Sequence, residues 1–156
     1  MTLPRAIASA GGCGRFPFAP GTFTSLVALA IGVPLTAHPY ALAAAILVAM
    51  IAGYWAIISL RIKDDPGWVV IDEVAGQWVA LLGLANASLA GLFAAFAIFR
   101  LLDVVKPGPI AWADRQPGAA GIMADDIIAG AITAGIVWAL RSHWPGVFER
   151  LIFAPA

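Results

Sequence analysis

The feature that most constrains this chain is an uninterrupted apolar run over residues 41–60, ALAAAILVAMIAGYWAIISL. About 20 uncharged residues are what an α-helix needs to cross a hydrocarbon core of roughly 30 Å. Three further uncharged runs cover residues 21–37, 74–99 and 127–140. Only 12% of the residues are charged and 62% are hydrophobic, so little polar surface is left to cover a water-exposed exterior. We therefore predict an all-α, polytopic membrane helix bundle with four to five short apolar helical segments, in a single domain over residues 1–156.

The run over residues 74–99 can form either one tilted span or a hairpin. Near its middle the sequence LANAS supplies two turn-forming side chains, Asn86 and Ser88. One long span would place Asp72 and Arg100 on opposite faces of the membrane, whereas a hairpin returns Arg100 to the face of Asp72. Each hairpin arm has about 13 residues, roughly 20 Å of helix, which is short for a full crossing. We favour the hairpin, with shallow crossing or a locally thinned bilayer.

The basic residues predict the orientation of the chain. Most of them fall on one side of the zig-zag: Arg5, Arg15, Arg61, Lys63, Arg100, Lys106 and Arg115. By the positive-inside rule this side is cytoplasmic. Arg141 and Arg150 disagree, because a fifth crossing leaves them outside unless the last helix stops short of a full traverse.

Composition also excludes several functions. The net charge is zero, so the basic field that non-specific nucleic-acid binding requires is missing. Cys13 has no arginine six residues later, which argues against a cysteine-dependent phosphatase. His38 and His143 lie away from the acidic residues in the predicted topology, so neither is placed to act as a phosphohistidine nucleophile.

Acidic residues concentrate beside the apolar runs on the predicted cytoplasmic side. Seven of the nine are found there: Asp64, Asp65, Asp72, Glu73, Asp103, Asp125 and Asp126. For any single residue, capping of a helix N-terminus is an equally good explanation. For two adjacent pairs that converge with Asp103, a shared metal site is favoured, because a cation relieves the repulsion among carboxylates. Ligation by oxygen atoms alone suits Mg²⁺, which also bridges to phosphate groups.

Two neighbouring segments could contribute to phosphate binding. FRLLDVVKPGPI places Arg100, Asp103 and Lys106 at three-residue spacing, so that one helical face alternates in charge until Pro107 ends the helix. An intrahelical ion-pair ladder explains that spacing as well. GCGRFPFAPGTF precedes the first span and can aim backbone N–H groups near Gly21 and the hydroxyl of Thr22 at an anion, although an ordinary membrane-entry turn would look the same.

Four blocks in this order resemble the phosphatidylglycerophosphatase A family of membrane lipid phosphatases. They are CGRFPFAPGTFTSL, DPGWVVIDEVAGQW, FRLLDVVKPGPIAWADR and GIMADDIIAG, and the resemblance covers roughly residues 12–135. It carries over the residues Gly21, Thr22, Asp65, Asp72, Glu73, Gly76, Arg100, Asp103, Lys106, Asp114, Arg115, Asp125 and Asp126. Thr24 stands where that family usually has glycine. None of the departures removes a carboxylate or a basic group.

The resemblance implies a Mg²⁺-dependent enzyme of the bacterial cytoplasmic (inner) membrane that converts phosphatidylglycerophosphate to phosphatidylglycerol and phosphate, its active site facing the cytoplasm. We expect Asp72, Glu73, Asp103, Asp125 and Asp126 to be the catalytic metal ligands. Arg100, Lys106, Arg115, Gly21 and Thr22 would bind the phosphate of the phospholipid substrate. Two alternatives stay open: a membrane phosphotransferase of the CDP-alcohol type, whose longer aspartate pattern is missing here, and a cation transporter, whose carboxylates should lie nearer mid-membrane.

Overall fold

The computed structural model describes residues 1–148, which contain helices and no strand. The α-helices are α1 (Leu3–Ala8), α2 (Pro20–Gly32), α3 (Pro39–Ser59), α4 (Ile71–Leu81), α5 (Leu89–Val105), α6 (Pro109–Asp114), α7 (Gly118–His143) and α8 (Pro145–Phe148). Short 3-10 helices cover Ala10–Arg15 and Val33–Ala37. The prediction of an all-helical chain is therefore confirmed for the described residues.

Three segments are long and apolar enough to cross a membrane: Pro20–Ala37, Pro39–Ser59 and Gly118–His143. Their outward faces carry large apolar side chains, for example Val48, Ile51 and Ile58 of α3, each more than half exposed. Exposed apolar surface of this kind is stable in lipid and unfavourable in water. These segments identify a membrane protein.

The ambiguous run over residues 74–99 is broken into two helices, as the hairpin prediction requires. α4 ends at Leu81 and α5 begins at Leu89, and the Ser88 side chain caps α5 by accepting a hydrogen bond from the Gly91 N–H at 3.0 Å. A serine at this position satisfies one of the free N–H groups that open a helix. α5 ends at Val105, immediately before Lys106-Pro107, as the sequence predicts.

Small residues let α4 pack closely against α7 at the centre of the bundle. A Cβ atom at Gly76 would lie 2.6 Å from the backbone oxygen of Asp126, and one at Gly130 would overlap the backbone oxygen of Gly76. Gly83 packs in the same way against Ala134. Close backbone approach through glycine is a common device for packing helices in membranes. It brings the two helices that carry four of the predicted metal ligands into direct contact.

Several helix ends meet at one end of the bundle. The Val70 N–H donates to the Ala8 carbonyl at 2.9 Å, and the Gly118 N–H donates to the Lys63 carbonyl at 2.9 Å. These bonds join the N-terminal segment, the loop between α3 and α4, and the start of α7. The start of α4 and the end of α5 also lie at this end, because Asp72 of α4 and Asp103 of α5 both lie close to Asp126 of α7.

The structure corrects the capping interpretation of one acidic pair and places one of the two C-terminal arginines. Asp125 and Asp126 do not cap a helix, because α7 begins at Gly118 and continues through them, two turns into the helix. Helix capping therefore cannot account for this pair. Arg141 lies in the last turn of α7, far along the helix from this acidic pair, while Arg150 lies outside the described residues.

Candidate metal and phosphate site

Five carboxylates from three helices converge at this end of the bundle. Asp72, Glu73 and Asp126 offer oxygen atoms that all lie within 4.8 Å of one another, and Asp103, Asp125 and Asp126 form a second such group. Asp126 belongs to both groups, so the two triads make one continuous cluster. α4 supplies Asp72 and Glu73 from its first turn, α5 supplies Asp103 near its end, and α7 supplies the adjacent pair.

The cluster is withdrawn from solvent. Asp72 is 5% exposed, Asp125 5% and Asp126 3%. Within residues 1–148, three buried carboxylate oxygens have no hydrogen-bond partner: Oε2 of Glu73, Oδ1 of Asp125 and Oδ1 of Asp126. Buried ionised oxygens are costly unless they are paired or bind a metal. A divalent cation held by the triad that contains Asp125 and Asp126 would compensate these two carboxylates, so the residues present fit a metal ion.

Arg100 connects the cluster to α2. Its guanidinium forms an ion pair with Asp103 one turn later, and it donates a hydrogen bond to Oγ of Ser25 at 3.3 Å. Ser25 is fully buried and in turn donates to the Gly21 carbonyl at 2.9 Å. The ion-pair ladder, which was the alternative explanation of this spacing, is thus present between Arg100 and Asp103, and the guanidinium lies beside the carboxylates.

Lys106 does not continue the ion-pair ladder that Arg100 and Asp103 begin on α5. It takes a left-handed backbone conformation with φ of 50° at the end of that helix, and its ammonium group bridges Asp114 and Asp125. The Nζ to Asp125 Oδ2 distance is 2.6 Å. Partial burial lowers the pKa of Lys106, but the hydrogen bonds to Asp114 and Asp125 outweigh it and raise that pKa above its ordinary value. The Lys106 side chain is therefore a fixed positive charge.

A polar cavity of about 260 Å³ opens beside Asp125. It is lined by Lys63, Asp64, Asp65, Asp114, Arg115, Gln116, Pro117 and Ile122 as well as Asp125. Arg115, a predicted phosphate ligand, is exposed on its wall, and Asp65 accepts a hydrogen bond from the Gly67 N–H at 3.2 Å. Of the five clustered carboxylates, Asp125 lines this cavity, which therefore gives that residue a polar opening.

The segment before α2 lies against the cluster through Gly21. A Cβ atom at this position would overlap Oε1 of Glu73 and lie 3.2 Å from a terminal nitrogen of Arg100. Glycine is thus required for the approach of α2 to both side chains. Thr22, which we predict donates its hydroxyl to the phosphate, is exposed at the start of α2.

Sequence reasoning missed three polar residues in this region. Thr24, Ser25 and Gln77 are each no more than 1% exposed, although they sit within apolar helices. The signal that could have found them is spacing. Ser25 follows Gly21 by four residues and Gln77 follows Glu73 by four, so each lies one helical turn beyond a residue of the site.

Together, the helical membrane fold and the buried cluster define an integral membrane protein with a candidate cation site at one end of its bundle. The chain matches the family described as Phosphatidylglycerophosphatase A over residues 6–141, and it therefore belongs to that family.

Named relatives agree with this assignment. The chain is 38% identical to Phosphatidylglycerophosphatase A of Escherichia coli (strain K12) over 151 residues, 93% of this chain and 88% of the relative. It is 37% identical to a Putative phosphatidylinositol-3-phosphatase of Bacteroides thetaiotaomicron, over 82% of this chain and 87% of the relative. No solved structure gives a significant match. The chain is an enzyme, a membrane lipid phosphatase.

Proposed function

We propose that this chain hydrolyses phosphatidylglycerophosphate to phosphatidylglycerol and inorganic phosphate, with Mg²⁺ as cofactor, at the cytoplasmic face of a bacterial inner membrane. The substrate is the one named by the Escherichia coli relative, which matches nearly the whole chain. In this account α3, α7 and the segment from α2 through the following 3-10 helix cross the membrane, and the α4–α5 hairpin enters it from the cytoplasmic side.

The position of Asp126 is the observation that carries the proposal. It is 3% exposed, it belongs to both carboxylate triads, and its Oδ1 atom has no hydrogen-bond partner among the described residues. Within residues 1–148, the five carboxylates of the cluster form ion pairs with two basic side chains, Arg100 and Lys106. Uncompensated negative charge that is buried in a protein is expensive. One or two divalent cations held by this cluster would compensate the excess charge.

When bound there, Mg²⁺ would polarise the phosphoryl oxygens and lower the pKa of a nearby water molecule. Arg100 and Lys106 would counter the negative charge of the phosphomonoester, whose binding requires one or both to shift from their present carboxylate partners. Arg115 would attract the phosphate at the mouth of the polar cavity. In the net reaction, the oxygen of water bonds to phosphorus, the bond from phosphorus to the glycerol oxygen breaks, and that oxygen takes up a proton.

Placement at one end of the bundle suits a lipid substrate. The site lies where helix ends meet, while apolar side chains cover the outward faces of the spanning helices. A phospholipid could therefore present its headgroup to the carboxylates while its acyl chains stay in the bilayer. A soluble phosphate ester would lack that anchoring, so we expect it to be hydrolysed poorly.

The direct test is phosphate release from phosphatidylglycerophosphate by the purified protein in detergent with Mg²⁺. We expect release by the wild type and loss of nearly all release in Asp125→Asn, which still inserts into membranes and melts cooperatively. Full activity of Asp125→Asn would remove this residue from the site. Transfer of the phosphoryl group to another alcohol without free phosphate would favour the phosphotransferase alternative, and cation uptake by proteoliposomes without hydrolysis would favour the transporter.

The Bacteroides relative supplies a second candidate substrate, because its name specifies a phosphatidylinositol phosphate. Phosphatidylinositol 3-phosphate should therefore be assayed beside phosphatidylglycerophosphate under the same conditions. We expect the glycerol headgroup to give the higher kcat/KM, and a reversal of that order would reassign the physiological substrate while leaving the chemistry of the site unchanged.

A further inference from the structure

A second set of buried polar atoms lies next to the carboxylate cluster, between α2, α4 and α5. Gln77 is fully buried and Thr24 is 1% exposed. In the part of the chain that the structure describes, the Thr24 hydroxyl and both polar atoms of the Gln77 amide lack hydrogen-bond partners. The same holds for Nε of Arg100 and Oε2 of Glu73. Three of these atoms belong to side chains that the proposed chemistry does not use.

Contacts between α2 and α4 place Thr24 and Gln77 at a common level. Near the start of both helices Gly21 packs against Glu73, and deeper in the bundle the indole N–H of Trp78 donates to the Ala28 carbonyl at 2.8 Å. Thr24 lies three residues after Gly21, and Gln77 lies four residues after Glu73. Residues three and four apart share a helical face. Both polar side chains therefore point into the same interface, about one turn deeper than Glu73.

Arg100 reaches this interface from α5. Its guanidinium donates to Ser25 at 3.3 Å, and a Cβ atom at Gly21 would lie 3.2 Å from one of its terminal nitrogens. Donors and acceptors are both available: the Gln77 amide and the Thr24 hydroxyl offer each, Arg100 Nε–H donates, and Glu73 Oε2 accepts. Buried polar groups of this kind are as a rule satisfied by protein or by ordered water, and a buried water commonly makes about three hydrogen bonds.

We propose that Thr24 and Gln77 hold a buried water molecule behind Glu73 and Arg100, and that Gln77 acts through this water as a positioning residue for the candidate site. The water completes the hydrogen bonding of the Gln77 amide and fixes the unpartnered oxygen of Glu73. Groups that orient metal ligands in this way commonly change metal affinity or activity by about 10- to 100-fold when removed. The positioning role rests on the proposed function, whereas the water site does not.

The water site can be tested without any activity measurement. Gln77 and Gln116 are the two glutamines of the chain, so labelling glutamine side chains with ¹⁵N gives two side-chain ¹⁵N resonances, one for each residue. Gln116 is exposed and serves as an internal reference. We expect the Gln77 amide of the detergent-solubilised protein to show a cross-relaxation peak with a long-lived water, and Thr24→Val to remove it. Absence of that peak in the wild type would overturn the water site.

The positioning role is tested with Gln77→Leu, Thr24→Val and Thr24→Ser. We expect Gln77→Leu to weaken Mn²⁺ binding and to lower kcat by about 10- to 100-fold with little change in KM. Thr24→Val should cause a smaller loss of Mn²⁺ affinity and kcat. Thr24→Ser should keep the wild-type values, because serine retains the hydroxyl. Thr24→Val also keeps the proposal testable if Gln77→Leu does not fold.

Thr133→Val is the matched control. Thr133 is also fully buried, but its hydroxyl already donates to the Ala129 carbonyl at 2.8 Å, so its removal should leave Mn²⁺ binding and kcat unchanged. Equal losses in Thr133→Val and Thr24→Val would reduce the effect to general destabilisation and overturn the positioning role. If the wild type showed the water peak but released no phosphate from either lipid, the proposed function would fail and the water site would stand.

Discussion

Replacing Gly76 by alanine should separate the two halves of the carboxylate cluster. Gly76 lies on α4 one turn after Asp72, where the helix packs against α7. The added Cβ atom would be 2.6 Å from the backbone oxygen of Asp126 and 2.7 Å from Cε2 of Phe99. Ordinary contact begins at 3.4 Å, so α4 must move from α7 by about 0.8 Å. The backbone oxygen cannot turn aside, because it belongs to α7 itself.

That displacement is large on the scale of metal coordination. Oxygens of the first triad lie within 4.8 Å, and opposite ligands of one Mg²⁺ ion are about 4.2 Å apart, since each bond is about 2.1 Å. An opening of about 0.8 Å between α4 and α7 would widen the first triad by about a fifth of that 4.2 Å span. Misplacement of reacting groups by about 1 Å can cost roughly 100-fold in rate. We expect Gly76→Ala to lose about 100-fold in turnover while the protein still folds.

Turnover is measured as phosphate release from phosphatidylglycerophosphate at saturating Mg²⁺, and folding by thermal unfolding in the same detergent. Gly135→Ala is the control, because a Cβ atom there meets no atom of the described chain within 4 Å. We expect wild-type turnover in Gly135→Ala. Turnover in Gly76→Ala within twofold of the wild type would refute the reasoning that this packing sets the geometry of the cluster.

Three further predictions follow from the contacts of the site. Ser25→Ala removes the 3.3 Å hydrogen bond from Arg100, so kcat should fall by less than about tenfold, and an unchanged kcat would show that this bond does not orient the guanidinium. Lys106→Met should lower the melting temperature by the same amount at about pH 7 and at about pH 9. Folding raises the pKa of Lys106, so its contribution to stability is complete below the unfolded pKa of 10.5 and is lost only at higher pH. A smaller effect at pH 9 would contradict the raised pKa. Chelation with EDTA should abolish phosphate release without reducing helical circular dichroism, and Mg²⁺ should restore it; activity in EDTA would exclude a dissociable metal cofactor.

Much of the helical framework could be predicted from hydropathy because a membrane imposes a simple length rule. The run over residues 41–60 contains nearly all of α3, which spans Pro39–Ser59. The hairpin between α4 and α5 was predictable from the turn-forming Asn86 and Ser88. The start of α7 was not, because Gly118 lies in a segment rich in Gly and Pro whose helix is stabilised by packing rather than by an apolar pattern.

The members of the acidic cluster could be chosen from sequence, but their arrangement could not. All five carboxylates were predicted because acidic residues are concentrated at the ends of the apolar runs. The structure brings them together in two triads. The sharing of Asp126 depends on how closely α4 approaches α7, which local sequence does not encode. Lys106 shows the same limit, because its left-handed backbone turns the side chain away from the face predicted by three-residue spacing.

Manganese binding tests the central claim most directly, since Mn²⁺ can replace Mg²⁺ at oxygen ligands and is observed by electron paramagnetic resonance. We expect the wild type to bind Mn²⁺ in competition with Mg²⁺. Asp126→Asn, which alters the residue common to both triads, should lose that binding while keeping its helical content and cooperative unfolding. Wild-type affinity for Mn²⁺ in Asp126→Asn would contradict a cation held by this cluster.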